Sequence, residues 1–436
     1  MTDYNKGLIS FLDKSPTAFH AVSSIKKKLV ASGYFELVES EKWELTEGGK
    51  YFVTRNDSSI IAFRVPSFNF IGFMIGAAHS DSPAFKVKEN PEIIENGYVK
   101  LNVEGYGGML MAPWLDRPLS VAGRIIVKNG NKLEVRLVNV DRDLLLIPNV
   151  AIHMNRDANK GQTWNAQVDM LPVLGSADEA KGSFMRIIAE SAGVSDSDII
   201  SHDLFLYVRD KGKVWGGSEE YISAPHLDDL QCVYGCLEGF LGANNSSSVP
   251  VLAVFDNEET GSLTKQGADS TFLEDVLKRI SLSCSKDEEG YYRAVSSSFM
   301  VSADNAHALH PNHPEKADPV NRPAISKGIV IKFNAAQHYT TDAVSCAVYR
   351  DLCESNDIPV QVFTNRSDSR GGSTLGNVSN AHVSLNTVDI GLAQLAMHSC
   401  YETAGAKDTK HLIDAMTIFY SKTFRVGAGG SFELLD

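Results

Sequence analysis

Two adjacent carboxylates, Glu258 and Glu259, stand just beyond the apolar run Val249–Phe255 and just before a turn at Gly261. Burying unpaired carboxylates costs several kcal/mol, so such a pair at a strand end is seldom there for packing. Neighbours on an extended segment point opposite ways. One glutamate can then bind a metal ion while the other faces an attacking water, a division of labour suited to metal-dependent hydrolysis. Four more positions carry ligand-type side chains after an apolar run or at a strand–helix junction: His79, Asp228, Asp304 and His398. Ligand-binding residues of open α/β sheets gather at the carboxyl ends of strands. Two imidazoles and three carboxylates without a thiolate suit Zn²⁺, Mn²⁺ or Co²⁺. A carboxylate bridging two ions about 3.5–4 Å apart would make a two-metal hydrolytic centre. Asp81 is placed to orient His79, since a metal-bound histidine commonly donates its other N–H to a carboxylate.

The elements that must position these residues follow from periodicity. Residues 18–30 recur at helical spacing after Ser15-Pro16-Thr17. Tyr51–Val53, Ser59–Phe63 and Asn69–Gly76 read as strands, the last nearly all apolar as in a strand covered on both faces. Between about 86 and 224, period-two segments such as Val99–Glu104, Ser120–Val127 and Lys132–Val138 alternate with glycine-containing breaks, which predicts a β-rich insert. From Leu227 helices and strands alternate. Leu230–Leu241 and Asp342–Glu354 read as helices, and Val249–Phe255, Gly328–Phe333 and Pro359–Phe363 as strands. A long helix from about Asp408 to Thr423 is expected to close the chain. This alternation predicts an α/β domain with helices on both faces of its sheet.

The chain has 436 residues, 43% of them hydrophobic, enough for two or three domains. A formal net charge of -13 argues against a nucleic-acid or anionic-membrane partner. No apolar run reaches membrane-spanning length and the N-terminus lacks a signal-peptide pattern, so a cytoplasmic protein is expected. The six cysteines lack metal-finger or redox spacing and are expected to be buried thiols.

The segments His79–Pro83, His226–Leu230, Asp256–Ser262, Ser302–Asn312 and Leu395–Ser399, in this order, resemble the aspartyl aminopeptidases, the M18 family of dinuclear metallopeptidases. The resemblance implies a zinc-peptidase, phosphorylase/hydrolase-like α/β catalytic domain, formed by residues 1–85 and 225–436, with a β-rich dimerisation domain inserted at 86–224. It implies that His79 and Asp304 bind one divalent ion, Glu259 and His398 the other, that Asp228 bridges them, and that Glu258 is the general base. It also marks His307, Lys332 and Tyr339 as substrate contacts, and His153 as an oxyanion donor reaching across from a partner subunit. Arg370, in a Gly-rich loop, offers a further fork for a carboxylate. The activity so implied is removal of N-terminal Asp or Glu from peptides by a homo-oligomer, commonly a dodecamer, with two ions per subunit, Zn²⁺ first and Mn²⁺ or Co²⁺ as options. A dinuclear amidase acting on a small molecule and a non-catalytic peptide-binding scaffold are the other readings. The scaffold predicts a missing base or ligand, and none is missing here.

Overall fold

A computed structural model describes residues 2–369 and 371–435. Its largest sheet has nine strands, in the order Phe35–Leu37, Lys50–Arg55, Ser59–Arg64, Val249–Phe255, Phe73–His79, Phe299–Ala303, Asn386–Gly391, Ile329–Phe333 and Val360–Thr364. The middle four, from Val249–Phe255 to Asn386–Gly391, are mutually parallel. Parallel strands need covered crossovers, and helices lie on both faces. Alternation along the strands divides the core. Met74, Ala78, Leu252 and Val254 face the helices Asp3–Asp13, Ala18–Ala31, Leu227–Gly242 and Asp408–Ser421. Phe73, Ile75, Ala77, Val251 and Phe255 face Phe272–Ser283 and Glu288–Ser296. The all-apolar central strands therefore have a physical cause: both their faces are dry.

Gly76 marks how closely the sheet and the Asp408–Ser421 helix approach. A Cβ there would lie 2.0 Å from the Tyr420 hydroxyl and 2.7 Å from the Met416 methyl. Tyr420 is fully buried and has little room to yield. Gly76→Ala should therefore destabilise the fold by roughly 1–3 kcal/mol, the usual cost of overpacking, read from a denaturant midpoint. An unchanged midpoint would mean that the helix is not seated on this strand.

The region expected to be β-rich contains a six-stranded sheet, Lys132–Asn139, Leu119–Asn129, Ile199–Val208, Ala84–Glu95, Tyr98–Tyr106 and Val173–Ser176, with a core that includes Phe85, Trp114, Phe184 and Leu204. A third sheet went unread in the sequence. It joins Lys213–Trp215 and Tyr221–Ala224 to Glu402–Gly405, Ala393–Leu395 and Ala306–His307. Thus the last residues of the expected insert pair with the C-terminal half of the chain.

Two expectations need correction. Residues 69–72 precede the strand, which starts at Phe73, because Ile71 and Gly72 bond to the Ser247–Val249 loop. The Asp408–Ser421 helix does not end the chain. The short antiparallel strands Thr423–Val426 and Phe432–Leu435 follow it, and Phe424 packs into the core beside Phe299. All six cysteines are buried and free of disulfides.

Candidate active site

The parallel strands deliver their polar ends to one place. Phe73–His79 ends on His79 and leads to Asp81, Val249–Phe255 leads to Glu258 and Glu259, and Phe299–Ala303 leads to Asp304. Asp228 comes from the helix that begins at Leu227. It and Asp229 depart from helical angles, so the regular helix starts at Leu230. His398 follows the Ala393–Leu395 strand of the third sheet.

Asp228 sits at the centre. Its Oδ1 is 3.4 Å from His79 Nε2, and its Oδ2 is 3.5 Å from His398 Nε2. Asp304 Oδ1 lies 3.8 Å from His79 Nε2 and Glu259 Oε2 lies 3.3 Å from His398 Nε2. The ligand-type atoms form overlapping groups, His79 with Asp228, Asp229 and Asp304, and Asp228 with Glu259 and His398, each within 4.8 Å. Both imidazoles present the same nitrogen. His79 Nδ1 is 3.0 Å from the Asp81 carbonyl and His398 Nδ1 is 2.5 Å from the Gly108 carbonyl. A carbonyl only accepts, so each Nδ1 carries its proton and each Nε2 lone pair faces the centre.

The expected carboxylate of Asp81 is not the nearest acceptor for His79, lying 3.4 Å from Nδ1 against 3.0 Å for the carbonyl, and Asp81 does more than hold a ring. Its carboxylate accepts the backbone N–H groups of Glu258 and Glu259, each at 3.2 Å, and the Tyr106 hydroxyl at 2.7 Å. The glutamates are not on extended backbone, as the sequence reading assumed. They occupy a tight helical turn, Glu258–Thr260, entered through Asn257 at φ 62°. The N–H groups of Glu258 and Glu259 both point at Asp81, and their carboxylates converge with His79, one ligand-type atom of each lying within 4.8 Å of the others. His226, Ala396 and His398 also hold left-handed φ, at 59°, 56° and 65°. Such strained backbone gathers at functional sites.

Three supporting side chains were missed. Glu402 is buried and accepts the N–H of Asp228 at 2.9 Å and of His398 at 2.8 Å. Asp229 is fully buried and accepts the His79 N–H at 3.1 Å. Tyr106 reaches in from the six-stranded sheet. Asp229 had a signal, since a second carboxylate after a ligand invites an orienting role. Glu402 had none, because nothing in Glu402-Thr-Ala-Gly distinguishes it from a surface strand.

The cavity over the centre measures about 330 Å³ and is lined by His307, Lys332 and Tyr339 together with the ligand-type residues. Lys332 is only 2% exposed, not a surface lysine. Its Nζ is 3.2 Å from Asp304 Oδ2 and 3.0 Å from the Asn305 carbonyl. Burial opposes its charge, but Asp304 and its neighbours more than offset this and hold the ammonium protonated. Burial pushes the Glu258 carboxyl up to about 8, and the charges of Asp304, Asp81 and Asp228 act in the same direction against His79. His153 lies in an exposed turn outside this cavity, and Arg370 lies outside the described residues.

Residues 11–420 match the family model for the aminopeptidase I zinc metalloproteases, M18. The chain belongs to the M18 aminopeptidase family. A probable M18 family aminopeptidase 2 of Clostridium acetobutylicum is 49% identical over 428 residues, covering 96% of this chain and 99% of the relative. One from Pseudomonas aeruginosa is 41% identical, covering 97% and 99%. A chain of the solved structure described as the Ape4 and Nbr1 complex superposes with a TM-score of 0.93 at 34% identity, covering 96% of this chain and 85% of that one. The S. cerevisiae mApe1 dodecamer gives 0.84 at 28%, covering 96% of each. This M18 protein is thus a metallo-aminopeptidase, a hydrolase of peptide bonds, and its fold is that of its relatives.

The donor set of this M18 enzyme fits divalent metal. Asp228 Oδ1 and Glu259 Oε1 are buried and lack any hydrogen-bond partner among the described residues. Leaving buried carboxylate oxygens unpaired costs several kcal/mol, and a dication facing them removes that cost. All the donors are nitrogen or oxygen, as zinc and its first-row neighbours accept. Among the described residues no helix is long and apolar enough to cross a membrane.

Proposed function

We propose that the enzyme removes N-terminal aspartate or glutamate from peptides, using two divalent ions per subunit. His79 and Asp304 would hold one ion and Glu259 and His398 the other, with Asp228 shared between the two sites. When bound, the ions supply Lewis acidity to the scissile carbonyl and to the attacking water. Glu258 accepts the proton of that water and passes it to the leaving amine. Asp81 anchors the main chain of the Glu258 turn, which sets where the side chain leaves the backbone. Zn²⁺ is the first choice of ion, given the family's description as zinc metalloproteases.

The observation that carries the acidic preference is the buried Lys332 in the cavity wall, with its ammonium 5.4 Å from the Tyr339 ring centroid. A buried cation beside a peptide's first side chain favours a carboxylate there. His307 and Tyr339 form the adjoining wall. His153, exposed on its own subunit, is supplied to a neighbour's oxyanion. The dodecameric assembly of the S. cerevisiae relative supports a homo-oligomer. We read the six-stranded sheet as the dimerisation unit and place the enzyme in the cytoplasm.

The test is a panel of Asp-, Glu- and Leu-anilides with their N-acetylated forms. Free Asp- and Glu-anilides should be cleaved fastest and the blocked compounds not at all. Lys332→Met, checked for metal content, should lower the Asp-to-Leu ratio about 10–100-fold, the loss of one charge-assisted bond. Hydrolysis of the acetylated compounds would establish an amidase instead. Equal Asp and Leu rates would sink the acidic preference.

A further inference from the structure

We propose that a second cavity, adjoining the metal-site cavity, receives carboxylate groups of the substrate on the leaving-peptide side of the scissile bond. This inference rests on the aminopeptidase reading and names the peptides that reading would favour. The second cavity measures about 390 Å³ and shares His307, Phe363 and Met397 with the first. An exopeptidase seats the free amino end at the metals, so the rest of the peptide must leave through an adjoining opening. The cavity behind Asp81, lined by Phe19, Arg124 and Phe205, shares no wall with the metal site.

The wall chemistry departs from that of the whole molecule. In a chain whose net charge is -13 with histidine neutral, the second cavity is lined by His310, by His313, whose Nδ1 is 3.2 Å from Glu315 Oε1, and by the cations Lys316 and Arg366 against one lining carboxylate, Asp318. That carboxylate is already engaged. Its Oδ1 accepts the N–H groups of Val320 at 3.0 Å and Asn321 at 2.7 Å. The Lys316 side chain is exposed and forms no ion pair or hydrogen bond with the described residues. Arg366 is forked onto Asp368 at 2.8 Å and donates to the Glu315 carbonyl, so its head is held in place and its charge partly offset. His310 accepts the Asn312 N–H at Nδ1, which leaves Nε2 as the ring's donor. Two cations against one engaged carboxylate make a local positive excess, which draws the opposite sign against a repulsive overall field. Peptides with Glu or Asp directly after the first residue are the class this wall selects.

The experiment uses the metal-loaded full chain with Asp-Glu-Ala, Asp-Gln-Ala and Asp-anilide. At low ionic strength kcat/KM for Asp-Glu-Ala should exceed that for Asp-Gln-Ala about fivefold, through KM, and the ratio should shrink with added salt. The double variant Lys316→Gln, Arg366→Gln should bring the ratio to about one. Equal kcat/KM for the two tripeptides, with Asp-anilide cleaved, overturns this inference alone. A ratio that survives the double variant overturns it as well. If Asp-anilide is not cleaved either, the acidic aminopeptidase reading falls and this inference falls with it.

Discussion

Glu258→Gln should lower kcat by about 10²–10⁴-fold, the range lost with a general base, while the protein keeps its full metal content. The change preserves the volume of the side chain and the backbone N–H that Asp81 accepts at 3.2 Å. It leaves Glu259 and its contact to His398 in place. An amide cannot take a proton from water at neutral pH. The loss should therefore fall on kcat, with KM for Asp-anilide nearly unchanged. Turnover within tenfold of the parent enzyme would show that another group is the base. A loss of metal would show that Glu258 is itself a ligand.

Asp228→Asn should have the second large effect, this time on the metal. The two oxygens of Asp228 face different imidazoles, at 3.4 and 3.5 Å. An asparagine offers one oxygen and one NH₂ and can serve only one side. Metal analysis should find less than the parent's content per subunit, and activity should fall more than ~10²-fold. Stability gives an independent reading. A ligand bound to the native state alone raises the melting temperature, so a chelator should lower that of the parent and shift the variant's much less. Full metal content in the variant would exclude a bridging role for Asp228.

The readability of this chain tracks how local each signal is. The central strands announce themselves because both faces are buried, and Val249–Phe255 is found with the bounds expected for it. Asp342 was expected to open a helix and does, through a capping box with Ser345. Ligand-type residues stand out because His79, Asp304 and Glu259 interrupt apolar runs. Features that depend on distant partners stayed hidden. The strands of the third sheet are two to four residues long, too short for periodicity to register. Glu402 reads as a surface charge until its strand is folded under Asp228 and His398. Tyr106 meets Asp81 and Asn257 across stretches of 25 and 151 residues. The mutual orientation of the glutamates comes not from extended geometry but from a tight turn bonded to Asp81, which periodicity does not register.

Asp81 ties together the main chain of Glu258 and Glu259 and a hydroxyl from another sheet through its carboxylate, and the His79 ring through its carbonyl. Parts hung on one bracket share its vibrations. A displacement of Asp81 is handed to the main chain of Glu258 and Glu259 and to the His79 ring alike, which favours keeping their spacing.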